Sequence, residues 1–162
     1  MIIDSHVHIG KSLWGDFSAE YLMQIIDSSI DYVICSNLEG IDSPVFKSEK
    51  ECNEQMLKIT TIYPKIKPLY VCQPNIIQNT DTAREFLEKY PQIIGLKFHP
   101  ECMKLPANSD KYNPYLDLAK EFKKPCLYHS GHIKSRFSSP ELIYQKAQEY
   151  PEVPIILGHL ST

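Results

Sequence analysis

Met1–Gly10, MIIDSHVHIG, decides how the rest of the chain is read. Met1, Ile2 and Ile3 make an apolar start, and Asp4, His6 and His8 then recur at every second position. A strand alternates its side chains between two faces, which predicts that Asp4, His6 and His8 share one face while Ser5 and Val7 share the other. Gly10 is expected to end the strand. Two imidazoles about 7 Å apart along one strand face make half of a divalent metal site. A pair of histidines on a solvated strand face is the plain alternative, and the later histidines weigh against it.

Beyond Gly10, Lys11–Phe17 is expected to be a loop carrying the only tryptophan, Trp14. Ser18 reads as the N-cap of an amphipathic helix running through Ile26. Asp31–Ser36 is a short apolar strand, and a helix is expected from Ser48 to about Ile62. Ile66–Cys72 is the next strand, followed by a helix opening at Asp81 and closed by Pro91. Ile93–His99 is a strand that stops at Pro100. Asn113 and Pro114 open a helix, with proline in the first turn, where it fits. Pro125–His129 is a strand, Ser139 and Pro140 start another helix, and Pro154–His159 is the last strand. Strands and helices thus alternate with a repeat of about 30 residues, the pattern of parallel βαβ units.

Composition narrows the function classes. The 162 residues suffice for one domain with a sizeable core, and no linker or low-complexity stretch divides 1–162. A formal charge of −3 lacks the basic footprint of nucleic-acid binders. No apolar run approaches the roughly 20 residues of a membrane helix, and no secretory leader is visible at the N-terminus. Five cysteines, Cys35, Cys52, Cys72, Cys102 and Cys126, form no Cys-x-x-Cys pair. Small buried thiols in a reducing, cytoplasmic setting are the expectation.

The histidines settle the architecture. His6 and His8 end the first strand; Lys97 and His99 end the fourth; His129 ends the fifth; His159 ends the sixth. His132, in the loop after strand five, reaches toward the same place. In a (β/α) barrel these strand ends converge on the face that holds the active site. No Gly-x-Gly-x-x-Gly follows the first strand, which weakens an open nucleotide-binding sheet.

IDSHVHIG, IGLKFHP, PCLYHSGH and PIILGHLS, in that order, resemble the amidohydrolase superfamily, and within it the amidohydrolase-2 (amidohydrolase-related) branch. The resemblance covers essentially the whole chain. It implies an α/β fold, a TIM barrel of the metal-dependent hydrolase type. It also implies one divalent metal, zinc first, with manganese, iron or cobalt as the other candidates. Carried over residue by residue, it makes His6, His8 and His129 metal ligands and His159 the histidine that polarises substrate or shuttles protons. The implied substrates are small carbonyl compounds: cyclic amides, lactones, esters or aromatic acids, hydrolysed or decarboxylated.

Four further residues are expected at the substrate. Lys97 is an anion-binding or structural cation, although some relatives carry a modified bridging lysine in this strand. His99 contacts substrate or caps its strand. His132 and Trp14 line the pocket, with packing on the barrel rim as the alternative for Trp14. Asp4 is expected to orient a ligand or bond a neighbouring strand end. Glu101 and Arg136 are expected to be solvated loop charges.

The chain departs from the family in length. A full barrel takes about 250 residues, and six of eight strands use up this chain. The family's strand-eight aspartate maps to no residue here. The expectation is an incomplete barrel that self-associates through open sheet edges, with a small-molecule substrate and neither nucleic acid nor membrane as partner. Two other function classes stay open: a TatD- or PHP-like metal-dependent phosphoesterase, and a catalytically inactive metal-binding remnant.

Overall fold

A computed structural model describes residues 1–77 and 79–159. The chain divides into two compact units, Met1–Val71 with Gln92–Ile94, and Cys72–Pro91 with the residues from Gly95 onward.

The first unit carries β1 (Ile3–Ser12), β2 (Gly15–Phe17), α1 (Ala19–Ile25), β3 (Tyr32–Asn37), α2 (Glu49–Ile62) and β4 (Ile66–Val71), with a 3-10 turn over Leu38–Gly40. β1 pairs parallel with β3, and β3 with β4. Ile9, Val33, Cys35 and Ile66 face Ala19 of α1 and Met56 of α2 in a buried core. α2 starts where its sequence says it should: Ser48 accepts from Glu51 N–H while Glu51 accepts from Ser48 N–H, a reciprocal cap. Asn53 of α2 then bonds both backbone groups of Val71, at 2.8 Å to its N–H and 2.9 Å to its carbonyl, pinning the end of β4.

Two expectations about β1 are corrected. The strand does not stop at Gly10; it continues to Ser12 and folds back, so Lys11–Phe17 is an antiparallel hairpin onto β2 rather than a loop. Gly10 passes through at φ 101°, where a Cβ would stand 2.5 Å from Asn37 Oδ1, so only glycine fits. The alternation is also broken. Asp4 pairs with Val33 and Val7 with Cys35, so three steps on β1 match two on β3, a β-bulge at Ser5–His6. Asp4 therefore falls on the side of Val33 and Cys35, while His8, opposite Ser36, lies on the other. Asp4 and His8 do not share a face.

The second unit carries α3 (Asp81–Lys89), β5 (Gly95–Phe98), α4 (Pro100–Met103), α5 (Asn113–Glu121), β6 (Cys126–Tyr128), α6 (Pro140–Glu149) and β7 (Ile155–Leu157). β5, β6 and β7 are parallel, with Phe98 opposite Tyr128 and Tyr128 opposite Leu157. Phe98 and Tyr128 point to one face and meet Tyr112 at centroid distances of 5.2 and 5.6 Å, an aromatic core under α5. Lys97 and Leu127, also opposite each other, point to the other face. One short helix, α4, was not foreseen: Pro100 occupies its first turn and His99 caps it.

Candidate functional site

Of the sequence-predicted ligands, His129 directly follows β6, whereas His6 and His8 lie inside β1, which runs on to Ser12. In the first unit, His8 and Ser36 are direct neighbours across β1 and β3, and His8 Nδ1 lies 2.8 Å from Ser36 Oγ. The His6 ring meets the His8 ring edge-on, with centroids 4.7 Å apart and planes at 75°. Asp4, one bulge away, accepts a hydrogen bond from the His6 backbone N–H at 3.2 Å. Its carboxylate thus steadies the turn in the strand. The Ser36 hydroxyl thus orients the His8 imidazole through Nδ1.

In the second unit, the pairing of Phe98 with Tyr128 places His99 and His129 side by side on the face of Lys97. Their rings stack at 3.9 Å with planes 11° apart, and His129 N–H bonds the Phe98 carbonyl at 2.9 Å. His159 meets the other side of His129 at 4.9 Å, edge-on at 75°. Three imidazoles from the ends of β5, β6 and β7 therefore form one row. Cys102 closes the row at its β5 end, its Sγ 3.7 Å from His99 Nε2.

Lys97 is fully buried beneath this row. Burial disfavours its charged form and pulls the ammonium down to about 7, while the proximity of Cys102 opposes the shift weakly. A lysine with that pKa takes up and gives back a proton near neutrality. His99 keeps both of its expected roles available: its Nδ1 accepts from Cys102 N–H at 3.3 Å, and its ring lies against His129.

Glu101 is exposed, as expected of a solvated charge, but it is also hydrogen-bonded. It accepts from the hydroxyls of Ser135 and Ser138 (2.7 Å from Ser138), and these bonds hold its carboxyl below the usual range. It ties the start of α4 to the loop after β6. Gly131 N–H bonds the Ser138 carbonyl in the same knot, and a Cβ on Gly131 would stand 2.4 Å from Ser138 Oγ. His132 lies on this loop, exposed, with its Nδ1 accepting from Lys134 N–H at 3.0 Å. Trp14 sits at the tip of the β1–β2 hairpin and is 85% exposed. The base of that hairpin borders a cavity of about 280 Å³ lined by Ile9, Phe17, Asn37 and Glu39, among others.

Within either unit, among the described residues, no three His, Cys, Asp or Glu side chains form a ready-made metal set. Sequence reasoning passed over Ser36 and Ser130. Ser36 stands at a strand end, as His99 and His129 do, and Ser130 directly follows His129, so position was the available signal for both.

An amidohydrolase family model matches residues 3–162. A search of the curated proteins gives no match. Among solved structures, 4-oxalomesaconate hydratase from Rhodopseudomonas palustris aligns with a TM-score of 0.61 at 14% identity, over 97% of this chain and 62% of that one. 5-Carboxyvanillate decarboxylase from Sphingomonas paucimobilis aligns with a TM-score of 0.66 at 11% identity, over 96% of this chain and 66% of that one. The 5-carboxyvanillate decarboxylase from Novosphingobium aromaticivorans, solved with bound manganese, gives 0.61 at 10% identity, over 98% and 57%. The chain thus spans less than two thirds of the length of the solved structures it matches. The likeness is one of fold: α/β, with the strand–helix units of an incomplete TIM barrel. No helix among the described residues is long and apolar enough to cross a membrane.

Proposed function

The chain belongs to the amidohydrolase family, and from that premise we propose that its histidines serve a metal-dependent reaction at a small carbonyl compound. The observation that carries the proposal is the pair His6–His8 within β1, with His8 Nδ1 against Ser36 Oγ. Two adjacent imidazoles, one already oriented through its Nδ1, are a donor set that suits a divalent ion. His6, His8 and His129 would hold it. Zinc is the first candidate and manganese, iron or cobalt the others; the manganese bound by one structural neighbour supports a divalent ion without choosing among them. When bound, such an ion lowers the pKa of water from 15.7 to about 7 and polarises a carbonyl oxygen.

The remaining steps belong to the chain. His159, edge-on to His129, carries protons to and from the reacting group, the work for which an imidazole pKa near 6.5 is suited. Lys97, half-protonated near neutrality, offers a compact cation to a carboxylate or enolate on the face where His99 and His129 lie. The His99 ring, and His132 on the loop knotted by Glu101, line the substrate side, and Trp14 on its hairpin is assigned there too. The substrate class is a lactone, cyclic amide, ester or aromatic acid, and either hydrolysis or decarboxylation fits one site. The hydratase and decarboxylase neighbours support this range. A cytoplasmic setting belongs to the same reading, supported by five cysteines that form no disulfide. So does self-association through β7, an edge strand among the described residues.

Metal analysis of the purified chain tests the site. The wild type is expected to retain one divalent ion, and His6→Ala and His129→Ala each to lose it. A screen of lactones, esters, aromatic acids and phosphodiesters tests the chemistry. Turnover of phosphodiesters alone would overturn the reading in favour of a phosphoesterase.

A further inference from the structure

We infer that Ser130 is a positioning residue for His159: its hydroxyl grips both backbone groups of that residue and turns the imidazole toward His129. The inference rests on the reading of His159 as the proton carrier only for its functional meaning.

Register makes the case. The last rung between β6 and β7 joins Tyr128 to Leu157. Extending that ladder by counting sets His129 beside Gly158 and Ser130 beside His159. Neighbouring residues across a parallel pair point to the same face, so His159 would lie on the face of Tyr128 and Leu157. That is the face opposite His129. The observed ring nonetheless meets His129 at 4.9 Å. The chain achieves this by leaving the strand after Leu157 and bending at Gly158 and His159.

The bend is held by three hydrogen bonds. Gly158 N–H donates to the Tyr128 carbonyl at 2.7 Å. The Ser130 hydroxyl then donates to the His159 carbonyl at 2.5 Å and accepts from the His159 N–H at 2.9 Å. A hydroxyl has one donor and two acceptor positions, and here one of each is taken by a single residue 29 positions away. Ser130 is only 1% exposed, so its hydroxyl is shielded from competing water. The hydroxyl replaces the rung that a continued ladder would have made, and it does so with the chain turned. Alanine at this position would keep the strand and its packing but surrender the grip.

The test uses the full chain with Ser130→Ala, Ser130→Thr and Ser130→Cys, followed by NMR of labelled histidine. Ser130→Ala is expected to speed amide exchange at His159 by about tenfold, the effect of losing one net hydrogen bond. The His159 ring protons should also lose their ring-current displacement from His129. Ser130→Thr, which keeps the hydroxyl, should restore both signals. Should Ser130→Ala fail to fold, Ser130→Cys keeps the volume with a weak donor and should show the same losses. Unchanged His159 exchange and ring shifts in Ser130→Ala would overturn the proposal. So would uniform acceleration across all amides of β5, β6 and β7, the mark of a merely structural serine. These readouts need no substrate, so a failed metal analysis or activity screen leaves them decisive.

Discussion

Replacing Lys97 by methionine probes the most unusual charge in the protein. The ammonium is fully buried and burial pulls it from 10.5 to about 7. Between those two values the unfolded chain holds a proton that the folded chain has released. Stability therefore rises with pH across this window, by up to about 1.4 kcal/mol per pH unit. The penalty is complete below the folded pKa and is relieved as pH climbs toward the unfolded one. From pH 7 to pH 9 the gain from this one group is about 2 kcal/mol, because at pH 7 the folded lysine is still half-protonated. Lys97→Met has no such group. Urea denaturation of both proteins at pH 7 and pH 9 measures it, since other titrating residues are common to both and cancel in the double difference. The variant is expected to be the more stable protein at pH 7, and its advantage should shrink by about 2 kcal/mol at pH 9. An advantage that stays constant across the two pH values would refute a depressed lysine.

Three other perturbations follow from the geometry. Ser36→Ala removes the hydroxyl beside His8 Nδ1, and divalent-metal affinity measured by chelator competition should fall about 10- to 100-fold, the usual cost of losing such a partner. Glu101→Gln weakens the knot with Ser135 and Ser138. Because the folded carboxyl sits below 4.5, the wild-type loop should become protease-sensitive only as pH falls below that value, whereas the variant should be sensitive already at pH 6. Gly10→Ala forces a Cβ to 2.5 Å from Asn37 Oδ1 at a positive φ, and thermal or urea unfolding should show a loss of about 2 kcal/mol or more.

Much of the fold was legible because punctuation and periodicity agreed. Ser18, Ser48 and Ser139 cap the helices they were expected to cap, and the proline at position 114 or 140 opens its helix. The strand-end histidines could be placed in order because each directly follows a short apolar run. The hairpin was missed because Gly10 reads as a stop, and its continuation depends on a tertiary neighbour, Asn37, that no local pattern announces. The bulge was missed for a deeper reason. Asp4, His6 and His8 alternate perfectly in sequence, and only the pairing with β3 reveals that the alternation is not kept in space. Glu101 and Ser130 were opaque likewise, since their partners lie 34 or more and 29 positions away.

The bulge at Ser5–His6 also divides the opening strand into two mechanically separate pieces. Pairing resumes at Val7 and carries His8 to Ser36, so His8 takes its position from β3. Changes ahead of Ile3, including a fused affinity tag, leave the His8–Ser36 rung in place. Deleting one residue inside the bulge would restore one-to-one pairing with β3 and leave Asp4 three positions before His8, still on the opposite face. The bulge thus keeps the Asp4 carboxylate off the face of His8.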